Sequence, residues 1–200
     1  MIETSLVHIY SMATPEQFVG CGAMVEGGYI ATCRHVWHDA GGDEHGAVTV
    51  AFPRSRDGDG DPVRATARLV DACDKDQDGR APDLVLLRAE EPSPRGLELQ
   101  IARQERFEHG PGFAIAVLPS RGLSDEQIDG VIVQHVNNRG LRRFTGDAAT
   151  EYWFEAGSSG SPVFLKGGQQ LGNYPPPIFG HGFCGFRPGC RGLSERGLRP

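Results

Sequence analysis

Short apolar or alternating runs, each broken by Gly, Pro or Asp, recur along the whole chain. "SLVHIY", "FVGCGAMV", "GYIAT", "AVTVAF", "VRATARLV" and "DLVLLR" fill the first half, and "FAIAVL", "GVIVQHV", "EYWFEA" and "SPVFL" the second. These runs are rich in residues that suit a pleated surface, and their boundaries carry turn chemistry. No window of about 11–18 residues repeats its apolar positions at helical spacing. The pattern predicts an all-β domain of sandwich or barrel type. A looser stretch from Glu90 to Pro111, headed by "EEPSPRG", divides the halves and reads as the connection between two lobes.

Composition narrows this picture. A chain of 200 residues has room for one large all-β domain or two small lobes with a sizeable core. Hydrophobic residues at 38% and charged residues at 23% argue against general disorder. The formal charge of −6 argues against nucleic acid or an anionic membrane as the main partner, because phosphate recognition needs a clustered basic face. No apolar run approaches the roughly 18 residues of a membrane helix. The N-terminal "MIETSLVHIYSM" lacks the basic and long apolar regions of a secretory signal, so a cytoplasmic protein is expected. The five cysteines, Cys21, Cys33, Cys73, Cys184 and Cys190, are odd in number and lack metal-ligand pairs at two-residue spacing. Reduced thiols follow from that reading.

Candidate chemistry begins at "AGSSGSP", Ala156 to Pro162, held between two strand-like runs. A tight Gly/Ser turn there can present one hydroxyl among backbone N–H groups, as a serine nucleophile with an oxyanion hole requires. A general base is offered by His35, where the "GGYIATCRHVW" run leaves the sheet; His38 is the rival. An orienting carboxylate is offered by Asp83, immediately before "LVLLR", with Asp74, Asp76 and Asp78 as alternatives in a solvated turn.

His35 in "ATCRHVW", Asp83 in "DLVLLR" and Ser159 in "GSSGSP" resemble, in order and approximate spacing, the triad of chymotrypsin-like (trypsin-like) serine peptidases, bacterial members above all. The resemblance covers about Ser5 to Leu171 and implies two antiparallel six-stranded β-barrels, about residues 1–90 and 110–171, with the site in the cleft between them. It implies a serine endopeptidase acting on a peptide or protein substrate through an acyl-enzyme, with no cofactor and no metal. Ser159 would be the nucleophile, His35 the base, Asp83 its orienter, and the N–H groups of Gly157 and Ser159 the oxyanion hole. Ser158 would be only a small neighbour. Trp153, six positions before the serine, falls at the family's specificity pocket and supplies no carboxylate for Lys or Arg. Cys21 also resembles a family cysteine position, but its usual partner is Val36 here, so Cys21 and Cys33 are expected as free thiols. The alternative reading is a weak or inactive peptidase-like module that binds a peptide or protein.

Two stretches depart from that pattern. From Gly172 to Pro200 the chain turns rich in Gly, Pro and Arg, and "YPPP" lacks the N–H donors of an interior strand. A poorly ordered tail and an incomplete second barrel are expected. "DKDQDG" (Asp74 to Gly79) matches the first half of a calcium loop, but the twelfth position is Val85, where the loop needs a bidentate Glu. An ion bound to the native state would raise Tm as its concentration passed its Kd. Millimolar calcium should therefore leave Tm nearly unchanged in a thermal melt. A rise of several degrees, abolished by Asp76→Ala, would restore the loop as a calcium site.

Overall fold

A computed structural model describes residues 5–72, 83–90, 94, 110–133, 143–147, 156–165 and 178–179. The first lobe is a closed six-stranded barrel of antiparallel pairs. Its strands are β1 (Leu6–Tyr10), β2 (Phe18–Val25), β3 (Tyr29–Thr32), β4 (Ala47–Arg56), β5 (Pro62–Ala72) and β6 (Val85–Ala89), in the order β1-β2-β3-β6-β5-β4. Two short helices, α1 (Arg34–Asp39) and α2 (Gly42–His45), join β3 to β4. The second lobe is a five-stranded sheet of β7 (Gly110–Leu118), β8 (Ser124–Val133), β9 (Arg143–Gly146), β10 (Pro162–Leu165) and β11 (Ile178–Phe179), ordered β11-β10-β7-β8-β9.

Alternation explains how the two lobes meet. In β1, Val7 and Ile9 enter the barrel core with Met24, Ile30, Phe52 and Leu87. Leu6, on the other face, packs with Cys21 of β2 and with Ile115, Val117 and Phe164 of the second lobe. The strand is thus buried on both faces, which is why "LVHIY" reads as a nearly continuous apolar run. The turn from β2 to β3 also follows from the sequence. Gly27 and Gly28 take φ of 87° and 72°, a region where side chains beyond glycine are strained.

The all-β expectation and the first barrel match the structure. The second barrel does not close among the described residues, where five strands form an open sheet. Ile178–Phe179, inside the stretch expected to lack order, pairs with Pro162 and Val163 at the edge of that sheet. The strand foreseen from Gly130 begins earlier, at Ser124, because "SDEQID" pairs along β7 despite its polarity. The Asp125 side chain in that segment is 6% exposed and meets His8 Nε2 at 3.2 Å and Arg54 Nε at 3.4 Å, both from the barrel. Glu151 to Glu155 with Trp153, the acidic turn Asp74 to Gly79, and Cys73, Cys184 and Cys190 lie outside the described residues. Among the described residues no helix is long and apolar enough to cross a membrane.

Phe52 is the largest side chain wholly buried in the barrel core. Phe52→Ala removes that ring and leaves a cavity, at a cost of about 3–5 kcal/mol. Urea unfolding should show the loss as a lower midpoint with an unchanged slope.

Candidate active site

Strand register brings the first two residues together. β3 and β6 pair antiparallel, with Thr32 opposite Val85, so the end of β3 and the start of β6 lie side by side. Cys33 continues extended at φ −72° and ψ 143°, and α1 starts at Arg34. His35 therefore sits in the first turn of a helix and not on the strand end, as the sequence suggested. Six helical residues are too few to show a helical period in a window scan.

Asp83 reaches this turn from across the strand pair. Its Oδ1 accepts the His35 backbone N–H at 2.9 Å, and its Oδ2 lies 2.6 Å from His35 Nδ1. The first contact satisfies an amide that a helix start leaves without a partner, a task the Cys33 side chain does not perform. The second orients the ring. About a third of each side chain is exposed, 34% for His35 and 35% for Asp83, so the pair opens to solvent. The rival His38 is 68% exposed and meets Asp39 at 3.2 Å instead.

Ser159 lies in the turn just before β10, and that turn is bound to the barrel. The Cys21 N–H donates to the Ser159 carbonyl at 2.7 Å, and Cys21 Sγ donates to the Gly157 carbonyl at 3.5 Å. A Cβ added to Gly20 would meet Val36 at 2.9 Å and the Ser159 carbonyl at 3.0 Å. Ser159 and the residue after His35 thus flank the same glycine. Gly157 and Gly160 take φ of 99° and 85°, the conformations expected of a tight Gly/Ser turn. At Gly160 a Cβ would also overlap the Cys21 carbonyl.

Ser158 has a larger part than that of a small neighbour. Buried, it donates its hydroxyl to the Val117 carbonyl at 3.0 Å and pins the turn to β7. A serine next to the candidate nucleophile carries no signal of this kind, because its partner lies 41 residues away. Cys21 and Cys33 are both buried, and neither forms a disulfide. Burial pushes the Cys21 thiol up to about 12, outweighing the opposing hydrogen bonds from Ser161 and Val117. Cys21 is therefore a neutral packing residue at any ordinary pH. The donor atoms of Cys33, His35 and Asp83 all lie within 4.8 Å of one another. Trp153 lies outside the described residues.

A family model described as the trypsin-like peptidase domain matches residues 20–172. The chain belongs to this family. The match spans His35, Asp83 and Ser159 and most of both lobes. Among solved structures, the chain is similar to Deg5, with 18% identity and a TM-score of 0.57 over 82% of this chain and 75% of that one. It is also similar to the MamO protease domain from Magnetospirillum magneticum, with 19% identity and a TM-score of 0.55 over 89% and 85% of the two chains. At such identities these likenesses speak to the trypsin-like fold alone. Comparison with curated protein sequences gives no significant match.

The close approach at Gly160 generates a prediction. Gly160→Ala places a side chain in the left-handed region, at about 1–2 kcal/mol, and drives its Cβ into the Cys21 backbone. The variant should lose more than that penalty in chemical denaturation, whereas Gly58→Ala, with open space around it, should not.

Proposed function

We propose that this trypsin-like peptidase is an active serine endopeptidase using Ser159, His35 and Asp83. The observation that carries the reading is the two-point grip of Asp83 on His35, at 2.9 and 2.6 Å, beside the anchored turn that bears Ser159. In this reading Ser159 Oγ attacks the scissile carbonyl while His35 Nε2 takes its proton. His35 then protonates the leaving amine, and water hydrolyses the acyl-enzyme by the same path in reverse. The Asp83 carboxylate keeps the Nδ1–H tautomer and stabilises the imidazolium without itself taking the proton. The N–H groups of Gly157 and Ser159 hold the oxyanion, where loss of one donor typically costs about 3–4 kcal/mol.

The proposal extends to architecture and substrate. Residues 1–171 form the peptidase domain, and its second lobe is a barrel left incomplete toward the C-terminus. The substrate is a peptide or protein lying in the cleft between the lobes. Trp153 lines the pocket for the side chain before the cut and offers no carboxylate, so cleavage does not select Lys or Arg.

An active-site-directed fluorophosphonate and a peptide panel test the reading together. The wild-type chain should label and hydrolyse peptides. Ser159→Ala should do neither while its Tm stays within a degree or two, because only a small hydroxyl is lost. Asp83→Asn keeps the shape but admits the wrong tautomer, and a loss of about 10⁴-fold in kcat is expected. Hydrolysis surviving in Ser159→Ala would move the chemistry elsewhere, and a wild-type chain inert in both assays would favour the peptide-binding module.

A further inference from the structure

We propose that Cys33, His35 and Asp83 form a binding site for a soft divalent metal ion, with zinc the best fit, and that the bound ion shuts the site down. A thiol, an imidazole and a carboxylate are three donors that zinc takes together, and here their atoms lie within 4.8 Å of one another. Three protein ligands leave the fourth tetrahedral position to water.

The geometry needs only small movements. Ligand atoms around tetrahedral zinc sit about 3.3–3.8 Å apart, given bonds of about 2.0–2.3 Å. His35 Nδ1 and Asp83 Oδ2, now 2.6 Å apart, would open by less than an ångström to admit the ion. Asp83 would stay anchored meanwhile, because its Oδ1 still accepts the His35 backbone N–H at 2.9 Å. Cys33 is wholly buried, so the thiolate side of the site is dry. The partly exposed His35 and Asp83 side chains provide the way in.

Thiolate selects zinc over magnesium or calcium, which prefer oxygen donors. The other described cysteine, Cys21, does not belong to this cluster of donor atoms. His38 with Asp39 and Asp43 is an exposed alternative that offers no sulfur.

The consequence for chemistry follows from proton bookkeeping. Binding releases the Cys33 thiol proton to solvent, and Asp83 remains ionised. Metal on Nδ1 displaces the proton of that nitrogen, and the neutral ring then carries its proton on Nε2. That tautomer cannot accept the Ser159 proton. The ion therefore breaks the Asp83–His35 contact and removes the base in one step. This inhibitory part rests on the proposed proteolytic function; the binding does not.

Cobalt titration of the metal-stripped full chain tests the binding. One equivalent should give a tetrahedral cobalt spectrum with a thiolate charge-transfer band, and zinc should displace it. Cys33→Ser should abolish that band and weaken binding at least tenfold, with Cys33→Ala as a second variant if the first fails to fold; His38→Ala should bind as wild type. A band that persists without Cys33, or a wild-type chain that takes up no cobalt, would overturn the site. Fluorophosphonate labelling with and without zinc tests the inhibition. Labelling should vanish with zinc, return with a chelator, and become at least tenfold less sensitive in the Cys33 variants. Labelling that persists on the zinc-loaded chain would overturn the tautomer block. A chain that never labels counts against the proteolytic reading, and the cobalt arm then decides the site by itself.

Discussion

The hydrogen bond from the Cys21 N–H to the Ser159 carbonyl is where the barrel and the second sheet become one structure. A turn rich in glycine and serine would otherwise sample many conformations, and each fixed residue costs about 1–2 kcal/mol of backbone entropy. Here the turn is held on several sides. Cys21 grips it from β2, Ser158 ties it to the Val117 carbonyl, and Thr32 Oγ1 donates to the Cys21 carbonyl at 2.6 Å to brace the strand behind. The approach is so close that neither Gly20 nor Gly160 has room for a Cβ. Both glycines therefore serve contact between backbones, and Gly160 serves a positive φ as well.

A second joint lies on the same side of β1. Asp125 of β8 is buried between His8 and Arg54 of the barrel, with the His8 and Asp125 side chains each 6% exposed. Leaving one partner of a buried charge contact alone is far costlier than the contact is stabilising. The polar joint therefore works mainly as a register lock: only one placement of β8 puts its acid opposite His8 and Arg54. Apolar packing of Leu6, Val117 and Phe164 supplies the attraction, and Asp125 restricts how the sheets can slide.

What could be read from the chain follows from where the signals are local. The barrel strands were legible because each alternates or runs apolar between turn residues, as "GCGAMVEGGYIAT" does. The early half of β8 was not, since "SDEQID" spends its polar residues on an inter-sheet contact that no local pattern encodes. β9, "RFTG", is too short and polar to register, and α1 is too short for a period. Ile178–Phe179 was hidden by the prolines before it, which bar an interior strand but allow a short edge. At the candidate site, His35 and Asp83 were legible through their order and their places just after β3 and just before β6, and register makes them neighbours. Ser158 and Cys33 were not, because the first depends on a distant carbonyl and the second on the fold bringing its sulfur within 4.8 Å of the donor atoms of His35 and Asp83.

Asp83 joins the fold and the proposed chemistry in a single carboxylate. One oxygen satisfies an amide at the start of α1, and the other orients the ring carried by that same residue. The helix start and the imidazole are consequently not independent degrees of freedom. If α1 frays, the ring loses its orienter; if the carboxylate turns away, the helix loses the acceptor for that amide. Because β6 delivers Asp83 and β3 delivers His35, the geometry of the pair is inherited from the barrel's register. A one-residue slip between those strands would carry Asp83 to the opposite face. The closed barrel forbids that slip, since all six strands would have to move together. The precision of the His35–Asp83 pair is thus a property of barrel closure in the first lobe.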